Sequence, residues 1–155
     1  MERIYKFSFA FFIITITTSC LKQDLPDYPL WEDNEITNVF VEYRFESSDD
    51  YRDDPIVAYK KLTVEQTIDT VESTINIDIT VPEAGNEFTE EVRSMVTQDK
   101  LWMYVDISTA ATIEAINGTP PLGDPVNLIN PLHYRVTAAN GDVREWVIIT
   151  DSFTK

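Results

Sequence analysis

The chain has 155 residues, 12 Lys+Arg against 27 Asp+Glu, one His and one Cys, and 43% of it is hydrophobic. That length suits one domain with a real core, and the composition is too apolar for a disordered chain. A formal net charge of −15 argues against nucleic acid, whose phosphates would be repelled; one Cys excludes an intrachain disulfide framework, and one His with one Cys cannot furnish the usual zinc site.

Residues 1–19 read as an address. Arg3 and Lys6 form a basic start, Phe7 to Ile16 a short apolar run, and Thr17, Thr18 and Ser19 lead into Cys20. The run is about half the ~20 residues of a membrane-spanning helix, so a secretory signal is the reading. Small residues directly before a Cys resemble a bacterial lipobox, with cleavage before Cys20 and lipid on its sulfur. Thr17 stands where Leu is common; looser boxes occur in Bacteroidota lipoproteins. Cleavage removes Glu2, Arg3 and Lys6 and leaves 10 basic against 26 acidic residues. The expected membrane partner is therefore reached through acyl chains, and the acidic body should stand off anionic headgroups.

Residues 20–35 form the lipidated Cys and a tether. Pro26 and Pro29 keep their neighbours extended. Tyr28, Leu30 and Trp31 are unusual for a linker. Docking onto the domain edge and stacking on a sugar are the two readings of these rings.

From residue 36 onward the pattern is that of strands. Ile36 to Glu46 alternates, with Val39, Val41, Tyr43 and Phe45 on one face, the period of a half-buried strand. Ile56 to Val64 is a second, irregular strand interrupted at Lys60-Lys61, and Thr74 to Val81 is the most regular. Thr89 is an N-cap candidate ahead of Glu90 and Glu91, with Phe88, Val92, Met95 and Val96 at helical spacing, so one or two helical turns are expected there. Period two resumes from Leu101 to Ile107, with Trp102 and Tyr104 opposite Leu101, Met103 and Val105. Ala111 to Ile116 is a short strand. Residues 117–131 hold four prolines and two glycines and cannot be a central strand. Leu132 to Ala138 and Val143 to Thr150 flank Asn140-Gly141, the signature of a hairpin with a type I′ turn. Residues 151–155 read as a tail.

The expected fold is all-β: a single antiparallel sandwich of about seven strands over residues 36–150, with one short helical turn. Its core should contain Ile75, Ile77, Ile79, Val105, Val136, Trp146 and Ile148.

Tyr134-Arg135-Val136-Thr137-Ala138-Ala139-Asn140-Gly141 with Trp146-Val147-Ile148 resembles the closing hairpin of immunoglobulin-like or cadherin-like β-sandwich domains in Bacteroidota surface lipoproteins. Residues 106–113 and 120–123 resemble the same family. The resemblance implies an Ig-like sandwich in an outer-membrane lipoprotein, with an accessory or binding role beside polysaccharide-uptake systems. It supplies no catalytic residues.

The residues themselves offer little chemistry. His133 is the only His, at the mouth of the last hairpin, and should point outward. No nucleophile–base pair is apparent, and no cofactor is expected; the chain reads as a non-enzyme. Asp49, Asp50, Asp53 and Asp54 make the densest acidic cluster. Calcium needs about six to eight oxygens, and this run lacks the alternation and glycine of an EF-hand loop, so a solvated loop is the plainer reading. Trp31, Tyr28, Tyr51, Trp102 and Tyr104 are the candidate ligand-binding rings. For Trp102 and Tyr104 the alternative is burial under the helical turn or the tether. Two functions result: a surface lipoprotein that helps capture a neutral glycan or nutrient, and a structural or adhesive, fimbria-like subunit with surface-protein partners.

Overall fold

The computed structural model describes residues 30–155, so Cys20, Tyr28 and the signal segment lie outside the described residues. Among the described residues nine strands and one short helix follow in chain order: β1 Ile36–Tyr51, β2 Asp54–Lys61, β3 Thr63–Asp69, β4 Thr74–Thr80, α1 Glu90–Met95, β5 Leu101–Ile107, β6 Thr112–Ala115, β7 Pro125–Val126, β8 Leu132–Thr137 and β9 Val143–Thr154. They form two sheets, ordered β2-β1-β5-β7 and β3-β4-β9-β8-β6. The protein is an all-β sandwich.

Alternation places the core. Val39, Val41, Leu101 and Met103 of the first sheet meet Ile75, Ile77, Ile79, Tyr134, Val136, Trp146 and Ile148 of the second in one buried cluster. Six of the seven expected core residues are buried, and Val105 packs partly buried against them.

The irregular second strand is two strands. The chain leaves the first sheet at Leu62, whose N–H donates to the Val41 carbonyl at 2.9 Å, and β3 joins the second sheet beside β4. Gln66 covers the edge of β1 that β2 vacates: its Oε1 accepts from the Val39 N–H at 2.8 Å, and its Nε2 donates to Asn38 at 2.9 Å. A side chain thereby supplies the ladder partner that a missing strand would have given.

Three expectations are corrected. First, β4 and β9 pair in parallel, so the second sheet is mixed; β9 enters between β4 and β8 after the chain has passed through the other sheet, the long crossover that a parallel pair requires. Second, residues 151–154 are no tail. They extend β9, with Ser152, Phe153 and Thr154 opposite Asp78, Ile79 and Thr80, and Phe153 packs against the core. Asp151 is the extra residue of a bulge between the Ile77 and Asp78 pairs. Third, Asn140-Gly141 is not a type I′ turn. Only Gly141 has a positive φ there, +95°. Ala138 N–H donates to Asp142 O at 2.8 Å and Gly141 N–H to Ala138 O at 3.0 Å, a three-residue loop with glycine in the left-handed position. Instead the two-residue turn with both φ positive joins β1 to β2, at Arg52 (φ 58°) and Asp53 (φ 65°).

The helix starts as expected, with the Thr89 hydroxyl accepting from the Val92 N–H, and Phe88 and Val96 are buried beneath it. Met95 faces solvent instead, because so short a helix turns too few residues inward. The proline-rich segment forms the edge strand β7, where Val126 pairs with Leu101, and sends Leu128 into the core.

Among the described residues the buried Tyr134 hydroxyl has no hydrogen-bond partner, and burial pushes its pKa from the ordinary 10.0 up to about 12. A group whose pKa is raised in the folded state leaves stability intact below pH 10 and costs it between pH 10 and about 12, with a slope approaching ~1.4 kcal/mol per pH unit. Tyr134→Phe should flatten that alkaline arm. It should also hold or raise stability near neutral pH, since an unpaired buried hydroxyl costs about 1–3 kcal/mol. Urea titrations at several pH values check both; an unchanged alkaline arm would assign the loss to another group.

Candidate functional site

The two outer faces of the sandwich differ. On the second sheet the outward residues of β3 and β4 are Thr63, Glu65, Thr67 and Asp69, and Thr74, Asn76, Asp78 and Thr80, while β8 adds Arg135, bound to Glu114 and Glu145 at 2.8 Å each. β9 sets Val143, Val147 and Ile149 among them, so this face is mostly polar and carries no Phe, Tyr or Trp among the described residues. The first sheet turns aromatic and apolar groups outward. Strand pairing sets Phe40 opposite Tyr104, Glu42 opposite Trp102, Arg44 opposite Tyr59 and Glu46 opposite Val57, and paired residues share a face. Tyr59 is 60% exposed and Phe40 46%.

At the centre of this face a polar cluster holds the rings. Arg44 Nε donates to Glu42 Oε1 at 2.9 Å, Tyr104 donates its hydroxyl proton to the same oxygen at 3.0 Å, and Arg44 Nη2 reaches the Tyr104 hydroxyl. The guanidinium lies 5.1 Å from the Trp102 ring centroid and 6.0 Å from that of Tyr104, within cation–π range. Burial, reinforced by the bond to Glu42, raises the Tyr104 hydroxyl above the usual tyrosine range, so it stays protonated and donating. The bond to Glu42 likewise raises Arg44.

Two hollows flank the cluster. One groove of ≈ 430 Å³ runs along β1 to the sheet corner past Asn38, Phe40, Lys61, Leu62 and Gln66, and a second of the same volume lies between Arg44, Val57 and Tyr59. Glu42 and Tyr104 line both.

Of the expected ligand-binding rings among the described residues, the structure brings together only Trp102 and Tyr104. They are half-buried, with Arg44 from the neighbouring strand over both rings. Tyr51 sits at the β1–β2 turn with Arg52 over its ring at 5.1 Å. Trp31 lies at the opposite end of the sandwich: its carbonyl accepts from the Asn140 N–H at 3.1 Å, although its ring is 59% exposed. The chain after Trp31 does dock, with the Asn34 carbonyl accepting from Trp146 Nε1 at 3.0 Å in the interior and Glu35 N–H donating to Ser108 Oγ at 2.9 Å. Phe40 and Tyr59 were missed by the sequence reading. The signal for Phe40 was present, as an aromatic on the otherwise polar side of an alternating strand; Tyr59 sits in the irregular segment where no face could be assigned.

The acidic run is divided by the turn, with Asp49 before it, Asp53 within it and Asp54 beginning β2; the side chain of Asp50 lies outside the described residues. Among the described residues no three His, Cys, Asp or Glu side chains gather to hold a metal ion. His133 lies on the outer face of β8 opposite Val147, half-buried.

Comparison with known proteins bears on the whole sandwich. The family model described as DUF5018-related matches residues 36–149, from the start of β1 into β9. The chain belongs to the DUF5018-related family. A crystal structure of this architecture comes from a Bacteroides fragilis protein described as secreted, similar at 34% identity with a TM-score of 0.75 over 82% of this chain and 100% of that one. No curated protein matches the chain.

Proposed function

We propose that this DUF5018-related protein is a non-catalytic binding module of the bacterial envelope, lipidated at Cys20 and exposed at the outer-membrane surface, where it holds a neutral glycan on the outer face of its first sheet. The observation that carries this reading is the contrast between the two faces: Phe40, Tyr59, Trp102 and Tyr104 share one face, whereas the other, among the described residues, turns no Phe, Tyr or Trp outward and is polar apart from Val143, Val147 and Ile149 of β9. A pyranose ring offers an apolar face that stacks on such rings without needing charge. An anionic polymer would contend with the −15 of the chain. Resemblance to a Bacteroides protein described as secreted supports export.

Two measurements test the parts separately. Binding of the mature chain to a panel of soluble polysaccharides, before and after removal of the rings, tests the platform. Cell fractionation tests the anchor: Cys20→Ala should move the protein from the membrane to the soluble fraction with its melting temperature unchanged, because multiple acyl chains supply the attachment. Retention of the variant in the membrane would overturn the lipoprotein reading while leaving the platform untouched.

A further inference from the structure

We infer that Glu42 and Arg44 are the specificity-determining pair of this platform, reading adjacent hydroxyl groups of an uncharged sugar and rejecting acidic ones. The inference rests on the glycan reading above and adds to it the two residues that select the sugar and its charge class.

The pair is neutral as a unit. Arg44 and Glu42 form an ion pair at 2.9 Å, and the Glu42 side chain is only 12% exposed. Their committed atoms are Nε, Nη2 and Oε1. No hydrogen bond among the described residues engages Arg44 Nη1 or Glu42 Oε2, so the cluster keeps free donors on one residue and a free acceptor on the other. Two neighbouring hydroxyls of a sugar, each able to donate and accept, match that set. A carboxylated sugar meets Glu42 with its charge already offset, and desolvating a second carboxylate beside it is unfavourable. On the same face Lys61 stands opposite Glu42 and Asp106 opposite Asn38, one charge of each sign, so together they add no net charge beside the pair. Phe40 and Tyr59, exposed beside the pair, supply the stacking surface, while Arg44 rests on Trp102 and Tyr104 beneath it, so ring and polar pair would engage one sugar unit together.

Affinity gel electrophoresis of the mature chain in galactomannan, xyloglucan, soluble starch and polygalacturonate tests this. The wild type should be retarded by at least one of the neutral polymers and not by polygalacturonate. Arg44→Lys keeps the charge but loses the planar fork, and Glu42→Gln keeps the shape but loses the charge. Each should weaken neutral-glycan binding about tenfold or more, as expected for losing a hydrogen bond to a charged group, with little change in melting temperature. Glu42→Gln should in addition acquire retardation by polygalacturonate, because Arg44 is then uncompensated; a purely structural role for Glu42 would not produce that gain. Should both variants bind as wild type while Phe40→Ala/Tyr59→Ala does not, the inference falls and the platform stands; should the wild type prefer polygalacturonate, the inference and the neutral-glycan reading fall together. If no polymer retards the wild type, or if ring removal changes nothing, the glycan reading itself fails and takes the inference with it.

Discussion

Trp146→Ala should cost roughly 3–5 kcal/mol of folding stability, the range for emptying a large buried aromatic site. It should further orphan the Asn34 carbonyl that Nε1 now satisfies at 3.0 Å, a penalty of about 1–3 kcal/mol. Set against a total stability of about 5–15 kcal/mol, that leaves a large unfolded population in mild denaturant. The effect is large because one side chain serves two purposes. Its ring is fully buried between the sheets, and its N–H fastens residues 31–35 to the sandwich. Trp146→Phe separates the two: most of the ring remains, the hydrogen bond does not, and the expected loss drops to about 1–3 kcal/mol. Urea unfolding measures both variants. Limited proteolysis ahead of Ile36 should accelerate in Trp146→Phe even where the body stays folded. A loss under ~1 kcal/mol for Trp146→Ala would contradict the register of β9 and the core it defines.

Removing the exposed rings of the first sheet should abolish glycan binding while barely disturbing the fold. Phe40 and Tyr59 stand on the outer face, and exposed side chains away from caps and cores usually shift stability by less than about 0.5 kcal/mol when replaced. If each ring contributes about 2 kcal/mol, as a central aromatic contact does at binding sites, Phe40→Ala/Tyr59→Ala should weaken binding by about three orders of magnitude. Trp102→Ala should do the same from beneath Arg44, at some cost in stability because that ring is half-buried. Trp31→Ala and Tyr51→Ala should bind as wild type, since Trp31 lies by the β8–β9 hairpin and Tyr51 at the β1–β2 turn. Binding that survives the double variant but is lost on Trp31→Ala would move the site to the docked tether. Binding that ignores every ring would favour the adhesive-subunit reading.

Much of the fold was already determined by the order of the amino acids. Ile75, Ile77 and Ile79 alternate with polar residues so strictly that no other element can bury them together. Leu101 to Ile107 has the bounds in the structure that its pattern implied, and Thr89 opens the helix as an N-cap should. Periodicity states which side of a strand faces inward. It carries no information about which strand lies alongside, because pairing is made between residues distant in the chain. The parallel β4–β9 pair, the crossing at Leu62 and the continuation of β9 through Thr154 are all decisions of that second kind. The site divides along the same line. Trp102 and Tyr104 were visible as rings on the polar side of one strand. That Arg44 covers them, and that Phe40 and Tyr59 join them, follows only when β1 pairs with β5 on one edge and β2 on the other, since three separate segments must come into register before their outward side chains make one surface.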